Sequence, residues 1–299
     1  MRSRLETWRT IGDLTFHLVS DDERLTLPAD DLARRFLVAP CRPDVEIRSR
    51  WTDAPIVPAG EPVFDSGPAW QLHRAAGAFL FTFRSADDPL PYKSARFDPA
   101  FTSGDVDVYR PRFAGRPADA VDPLDYPLDE LLAIHVLSQG RGTLVHACGV
   151  LDARGRAYVF AGQSGAGKST LARMCAEASG LTMLSDERVV LRTDRDVVTV
   201  HGTPWHGDAM MVSPRSGPLA GVFFLRHAPA HEIVPMPASL ASARLMACAF
   251  LPFHSQAAVE HTLTAVERAA SAVACGELRF APESSVVDVL TRDAGLVRG

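Results

Sequence analysis

Eight consecutive residues have the types and spacing to hold a polyphosphate: Gly162-Gln163-Ser164-Gly165-Ala166-Gly167-Lys168-Ser169. The run fits G-x-x-x-x-G-K-[ST], the phosphate-cradling P-loop. The chain has two lysines against 29 arginines, and independent residue frequencies would produce such a match on the order of once in a thousand chains. The expected chemistry follows from residue type. Gly162, Gly165 and Gly167 let backbone N–H groups approach phosphate oxygens with no Cβ in the way. Lys168 offers a point charge to the β- and γ-phosphates, and the Ser169 hydroxyl offers a ligand to Mg²⁺. Ser164, Ala166 and Thr170 complete the expected nucleotide-binding stretch. The cofactors implied are ATP and Mg²⁺.

Three other groups could take part. Asp186 and Glu187 follow a short apolar run, where a carboxylate can hold the metal or take a proton from an attacking hydroxyl. Adjacent strand residues point to opposite faces, so the two acids are not expected to share one role. His146 lies in the strand expected before the P-loop strand, as a core histidine or as an active-site group. The segment His201–Asp208 (HGTPWHGD) reads either as a loop bringing Thr203, His206 or Asp208 to the site or as a rigid turn with Trp205 in the core. Its two histidines are a weak zinc signal.

A P-loop needs a strand before it and a helix after it, because the phosphates sit on the helix N-terminus. Arg156–Ala161 reads as the strand and Ser169–Ala178 as the helix. Gly142–Leu151 reads as a strand joined to the P-loop strand through an Arg154-Gly155 turn, which makes that neighbour antiparallel. Leu181–Ser185 is a further short strand, and Arg188–Arg192 and Val197–His201 read as a hairpin. A doubly wound sheet would need helical crossovers here. Turn-linked strands instead predict a mixed sheet, with a strand at Leu219–Arg226, helices at Ser239–Ala249 and Gln256–Ala274, a strand at Gly276–Phe280 and a helix at Ser284–Leu290. Leu128–Ser138 has helical spacing with Asp129 and Glu130 in its first turn; His135 there reads as an ordinary, partly buried imidazole.

The first 120 residues read as a smaller β-rich domain. Leu14–Val19 alternates apolar and polar, and Trp70–Arg74 with Ala78–Arg84 forms a hairpin around Gly77 with Phe79, Phe81 and Phe83 on one face. The domain is either a packing partner for the rest of the chain or a platform for an extended peptide docking along a strand edge. Pro111–Pro127 reads as the linker, so the domains run 1–120 and 121–299, the second carrying the P-loop. The fold class is α/β with α+β character.

Whole-chain properties narrow the partners. The 299 residues are 46% hydrophobic and 22% charged, with net charge −5, so no global basic field favours nucleic acid or anionic membrane. No stretch reaches the roughly 18 apolar residues of a membrane span, and the N-terminus lacks a signal-like apolar core; a cytoplasmic location is expected. Cys41, Cys148, Cys175, Cys248 and Cys275 are odd in number and widely spaced, which argues for free thiols, mostly buried, over disulfides or a zinc site.

The segments His146–Val150 (HACGV), Gly162–Ser169 (GQSGAGKS) and Ser185–Val189 (SDERV) together resemble HPr kinase/phosphorylase in its C-terminal catalytic domain. The resemblance spans about Gly142 to Leu225 well and the C-terminal helices loosely. It implies a P-loop domain similar to phosphoenolpyruvate carboxykinase. It also implies His146 as the active-site histidine, Lys168 and Ser169 as the P-loop pair, Asp186 as the catalytic aspartate, and Glu187 where that family has a second aspartate. The activity it implies is ATP-dependent transfer of the γ-phosphate to a serine of a protein or peptide, a precursor peptide among the substrates; a homo-oligomer is compatible with it. Thr199-Val200-His201-Gly202 departs from that family's later stretch with a Glu and an Arg just before a Gly, so the roles of those two residues do not carry over. Two rivals remain: a regulatory ATPase with no phosphoacceptor, and a small-molecule kinase drawing on Arg188, Arg192, Arg215 and Arg226.

Overall fold

Alternation of buried and exposed side chains organises the first half of the chain as sheet, as in Val45–Thr52, where every second residue is buried up to Ser49. The structure, a computed structural model, describes residues 5–20, 22–25, 31–85, 88–113, 121–163 and 165–295. The chain divides into two units: Met1–Thr10 with Leu14–Leu132, and Ile11–Asp13 with Ala133–Gly299. Mixed α/β and strand-rich, it contains eighteen strands and six α-helices among the described residues.

Nine strands form the first sheet: β1 (Leu5–Ile11), β2 (Leu14–Ser20), β3 (Leu37–Val38), β4 (Val45–Thr52), β5 (Glu61–Asp65), β6 (Trp70–Ala75), β7 (Ala78–Ser85), β8 (Asp88–Phe97) and β9 (Ser103–Tyr109), with a short helix α1 (Asp31–Arg34) between β2 and β3. Their order is β3-β1-β2-β4-β9-β8-β7-β6-β5. The expected aromatic hairpin is β6–β7, with Trp70 opposite Phe83. Its turn residues Ala76 and Gly77 both have positive φ, the geometry that matches the twist of paired strands. Phe81 and Phe83 are fully buried.

The expected linker is tied to the first unit. Arg9 pairs with Asp122 and with Asp129, the latter at 3.5 Å, and Lys93 pairs with Asp125. The two units meet in sequence at Leu132/Ala133, against the expected 120/121. Residues 114–120 of that stretch lie outside the described residues.

The division falls within helix α2 (Leu128–Leu137), after which the second unit continues with β10 (Gly142–Leu151), β11 (Ala157–Ala161), α3 (Lys168–Glu177), β12 (Thr182–Ser185), β13 (Arg188–Arg192), β14 (Thr199–His201), β15 (Ser216–His227), β16 (Glu232–Met236), α4 (Ala238–Met246), β17 (Ala249–Phe250), α5 (Gln256–Ala272), β18 (Ala274–Phe280) and α6 (Val286–Asp293). Strand β10 is buried along its length except at His146, the mark of a strand covered on both faces. As expected, its neighbour β11 is antiparallel. The five strands β10-β13-β14-β15-β11 form a closed ring, because β11 also pairs in parallel with β15. The expected mixed sheet is present; its closure was not expected. Strand β18 continues in parallel from β15, and β16 borders β18.

Core residues alternate between the two faces. Val159, Val222 and Phe224 pack with Leu245 of α4 and Val266 of α5. Phe160, Phe223 and Leu278 pack with Leu171 of α3 and Leu290 of α6. Among the described residues, no helix is long and apolar enough to cross a membrane.

Candidate functional site

The site forms where the partners of β10 change on both of its edges. On one edge β13 pairs with Gly142–His146, His146 opposite Arg188, and β12 pairs with Gly149–Leu151, Gly149 opposite Ser185. Strands β12 and β13 are thus one interrupted strand, and Asp186 and Glu187 are the interruption. On the other edge β17 pairs at Leu144 and Val145, and β11 pairs from Ala147 onward. His146 falls in that gap, and its N–H donates to the Cys248 carbonyl at 2.8 Å. Ala161 is opposite Ala147, so the glycine-rich run leaves the sheet at this same level.

The run Gly162–Ser169 lies between β11 and α3, the strand–loop–helix order expected of it. Gly165 and Gly167 have φ of +80° and +97°, open to glycine and strained for other residues. A Cβ on Gly167 would lie 2.8 Å from Phe280 Cζ, and one on Gly162 would lie 2.7 Å from Ala166 Cβ. Gly167 caps α3 without a side-chain hydrogen bond, which leaves the helix's first N–H groups to another acceptor. Ser164 lies outside the described residues. Ala166, Ser169 and Thr170 are partly exposed.

Lys168 begins the buried stripe of α3, followed by Leu171, Ala172 and Cys175, the spacing of one helix face. Its Nζ donates to the carbonyls of Gly162 at 3.0 Å and Gln163 at 3.3 Å. Burial holds its pKa below the ordinary lysine value, and the charge of Glu187 offsets this only in part.

Glu187 meets His146, with Oε1 2.9 Å from Nε2 and both side chains about one-quarter exposed, at 26% and 25%. Burial, then the Lys168 charge, lowers the His146 pKa, with Glu187 acting in the opposite direction. His146 is therefore neutral near pH 7, with Nε2–H donating to the carboxylate.

Asp186 is placed differently from expectation. It is fully buried. Its Oδ1 accepts from the N–H groups of Gly207 at 3.1 Å and Met211 at 3.2 Å, and its Oδ2 accepts from that of Ala209 at 2.9 Å. These bonds occupy three of a carboxylate's roughly four acceptor positions. Asp186 thus turns both of its oxygens to backbone N–H groups of this one segment. It anchors the 207–211 loop. Among the described residues, no group of three or more His, Cys, Asp or Glu side chains is arranged to hold a metal ion.

The 201–208 segment follows its rigid-turn reading. Trp205 is buried, and the Thr203 hydroxyl donates to the Arg188 carbonyl at 2.6 Å. His206 faces its neighbour's carbonyl, Nδ1 to Gly207 O at 3.0 Å, and His201 bonds Thr199 and is driven by burial to a pKa of about 4. All five cysteines are free; Cys148, Cys175 and Cys275 are buried, Cys248 is half-buried and Cys41 is exposed.

Sequence reasoning missed two neighbours of the glycine-rich loop. His227 Nε2 donates to the Gly165 carbonyl at 2.9 Å, its ring stacked on Phe280 at 5.8 Å. Cys248 lies against Gly162 and Lys168, and burial raises its thiol pKa. Spacing carries no signal for either, because both arrive through pairings distant in sequence.

The ScmC family model, SynChlorMet cassette protein ScmC, matches residues 129–277, just under half of the chain. No HPr kinase family model matches, and this corrects the resemblance read from His146–Val150, Gly162–Ser169 and Ser185–Val189. No curated protein matches the chain. The roles of His146, Lys168, Asp186 and Glu187 therefore rest on geometry alone.

Proposed function

We propose that the chain is an ATP- and Mg²⁺-dependent phosphotransferase that moves the γ-phosphoryl group to a hydroxyl of a protein or peptide. The observation that carries this reading is the convergence, at one level of β10, of a glycine loop, a lysine bonded to two carbonyls and a His–Glu pair about one-quarter exposed. In this reading the Gly162–Ser169 run acts as a P-loop. An anion fits there, since the N–H groups opening α3 have no side-chain cap and, among the described residues, no carboxylate is bonded to Lys168. Bound ATP would supply the phosphoryl group, and Mg²⁺ would neutralise charge between the β- and γ-phosphates.

The residues then divide the work. Lys168 exchanges two carbonyl oxygens for phosphate oxygens and holds charge as the phosphoryl group moves. Ser169 is placed one residue into α3 to offer its hydroxyl to Mg²⁺, with Glu187 as the acid able to bind it through water. Glu187 takes the proton from the attacking hydroxyl, oriented by the Nε2–H of neutral His146. Asp186 holds Gly207–Met211 in place beside Glu187; a Cβ on Gly207 would lie 3.1 Å from an oxygen of each acid. The cytoplasm, with its nucleotide pool, is the compartment this reaction requires, and five free cysteines suit a reducing one.

The test is incubation of the purified chain with Mg²⁺-ATP and a library of hydroxyl-bearing peptides. Phosphate incorporated into a peptide, and lost with Lys168→Ala, supports transfer. Hydrolysis of ATP without incorporation would favour the regulatory ATPase, and absence of ATP binding would remove both readings.

A further inference from the structure

Strands β11, β15 and β18 run parallel, and ligands of parallel sheets bind outside the carboxyl ends of the strands. The glycine loop leaves one of these ends. The next two carry an unusual cluster. Glu277, on β18, is almost fully buried and holds three guanidinium groups: Arg279 at 2.9 Å, Arg244 of α4 at 3.1 Å and Arg226 of β15 at 3.4 Å. Glu232 adds a second carboxylate, 3.2 Å from Arg279. Three cations on two anions leave one positive charge in excess. Arg226 has the longest contact with Glu277 and a side chain 64% exposed. Each guanidinium has five N–H donors in a planar fork, and the Glu277 contacts use few of them. One arginine would neutralise a buried carboxylate; gathering three costs like-charge repulsion that an external anion would relieve.

The cluster adjoins the glycine loop but faces away from α3. Ala161 is opposite Phe224, and Leu225 lies against Gly162. His227 bonds Gly165. Arg226, between Leu225 and His227, points to the other face of the sheet. That is the face of Phe224, over whose ring Arg244 sits at 5.6 Å; Leu225 and Phe280 pack with α3 on the opposite face. The charge therefore lies beside, and not within, the nest at the start of α3.

We infer that Arg226, Arg244 and Arg279 form a docking site for an acidic segment of the peptide acceptor, holding its carboxylates while a nearby hydroxyl reaches the glycine loop. The occupant follows from charge complementarity: fork-shaped donors in excess match side-chain carboxylates. The inference rests on the phosphotransfer reading for its purpose, but binding itself needs no nucleotide.

The test uses fluorescently labelled serine peptides flanked by Asp and Glu, and matched peptides with Asn and Gln, titrated against the full chain by anisotropy without ATP. A fluorescent ATP analogue is titrated separately. The acidic peptide should bind, the neutral one at least about tenfold more weakly, and the double variant Arg226→Ala/Arg244→Ala should lose about tenfold or more for the acidic peptide only. The ATP analogue should bind the double variant as it binds the wild type. Because Arg226 is exposed, the single variant Arg226→Glu serves if the double variant melts early; it should also lose acidic-peptide binding. Equal binding of both peptides, no binding of the acidic peptide, or unchanged binding in Arg226→Glu overturns the inference. Binding of inorganic pyrophosphate that is lost in Arg226→Glu, with no peptide binding, would also overturn it and assign the cluster to a small anion. Loss of the ATP-analogue signal in wild type would sink the phosphotransfer reading while leaving the peptide measurements interpretable.

Discussion

Lys93 and Lys168 are the chain's two lysines, and they are buried to nearly the same degree, 1% and 6% exposed. Their surroundings are opposite. Lys93 pairs with Asp125 and lies 4.7 Å from the centre of the Phe83 ring and 5.9 Å from that of Tyr92. Burial works against its charge, but Asp125 and Tyr92 outweigh it, and the pKa rises above the ordinary value. Lys168 has two carbonyl oxygens for partners, and its pKa falls. One cation is complete within the folded chain; the other is held by weak neutral acceptors that an anion can replace.

That contrast can be broken by mutation. Lys168→Ala should lower kcat/KM for phosphoryl transfer by about a thousandfold or more, while calorimetric unfolding stays near wild type; a matching fall in Tm would erase the distinction between the lysines. Glu187→Gln should keep ATP binding and lower turnover by at least about a hundredfold, read by single-turnover kinetics. Asp186→Asn should act instead on the 207–211 loop, costing about 1–3 kcal/mol in denaturant unfolding. If Asp186→Asn alone abolishes transfer in a fully folded enzyme, the two acids have been assigned the wrong way round.

Lys93→Met should cost no more than about 1 kcal/mol of stability, because Asp125 is 45% exposed and stays hydrated, and leave ATP affinity unchanged by titration calorimetry. Raising pH gives the smallest and sharpest comparison. Lys168 binds phosphate as a cation, so ATP affinity should fall as pH rises through a value below 10.5. Stability from the Lys93 pair is present below the ordinary lysine pKa and is lost only as pH climbs through its raised value, above 10.5. ATP titrations and melting curves across alkaline pH should therefore separate, affinity failing first.

Local signals made much of this legible. The Arg154-Gly155 turn announced the β10–β11 pairing, and the glycine run followed by helical spacing announced α3. The 193–196 turn announced β13–β14. What was not legible depends on contacts distant in sequence. The ring closes through Ala161 opposite Phe224, and nothing local in either strand encodes that pairing. The helix expected at Ser239–Ala249 stops at Met246, and Ala249-Phe250 pairs with β10 instead, bringing Cys248 to His146. The two acids were visible as a pair, but they lie between β12 and β13 and not within a strand, so strand alternation does not set their directions. Which of them faces outward was decided by a loop 21 residues away that delivers N–H groups to Asp186.

The closed ring has a consequence for motion. A five-membered cycle of hydrogen-bonded strands has no unpaired rim from which to fray, so its amide protons should be the slowest in the second unit to exchange with solvent. The glycine run, the Asp186-Glu187 interruption and the 202–211 segment all spring from that slow frame. Any rearrangement on ligand capture must then be confined to short, tethered stretches, with the strands beneath them keeping their register.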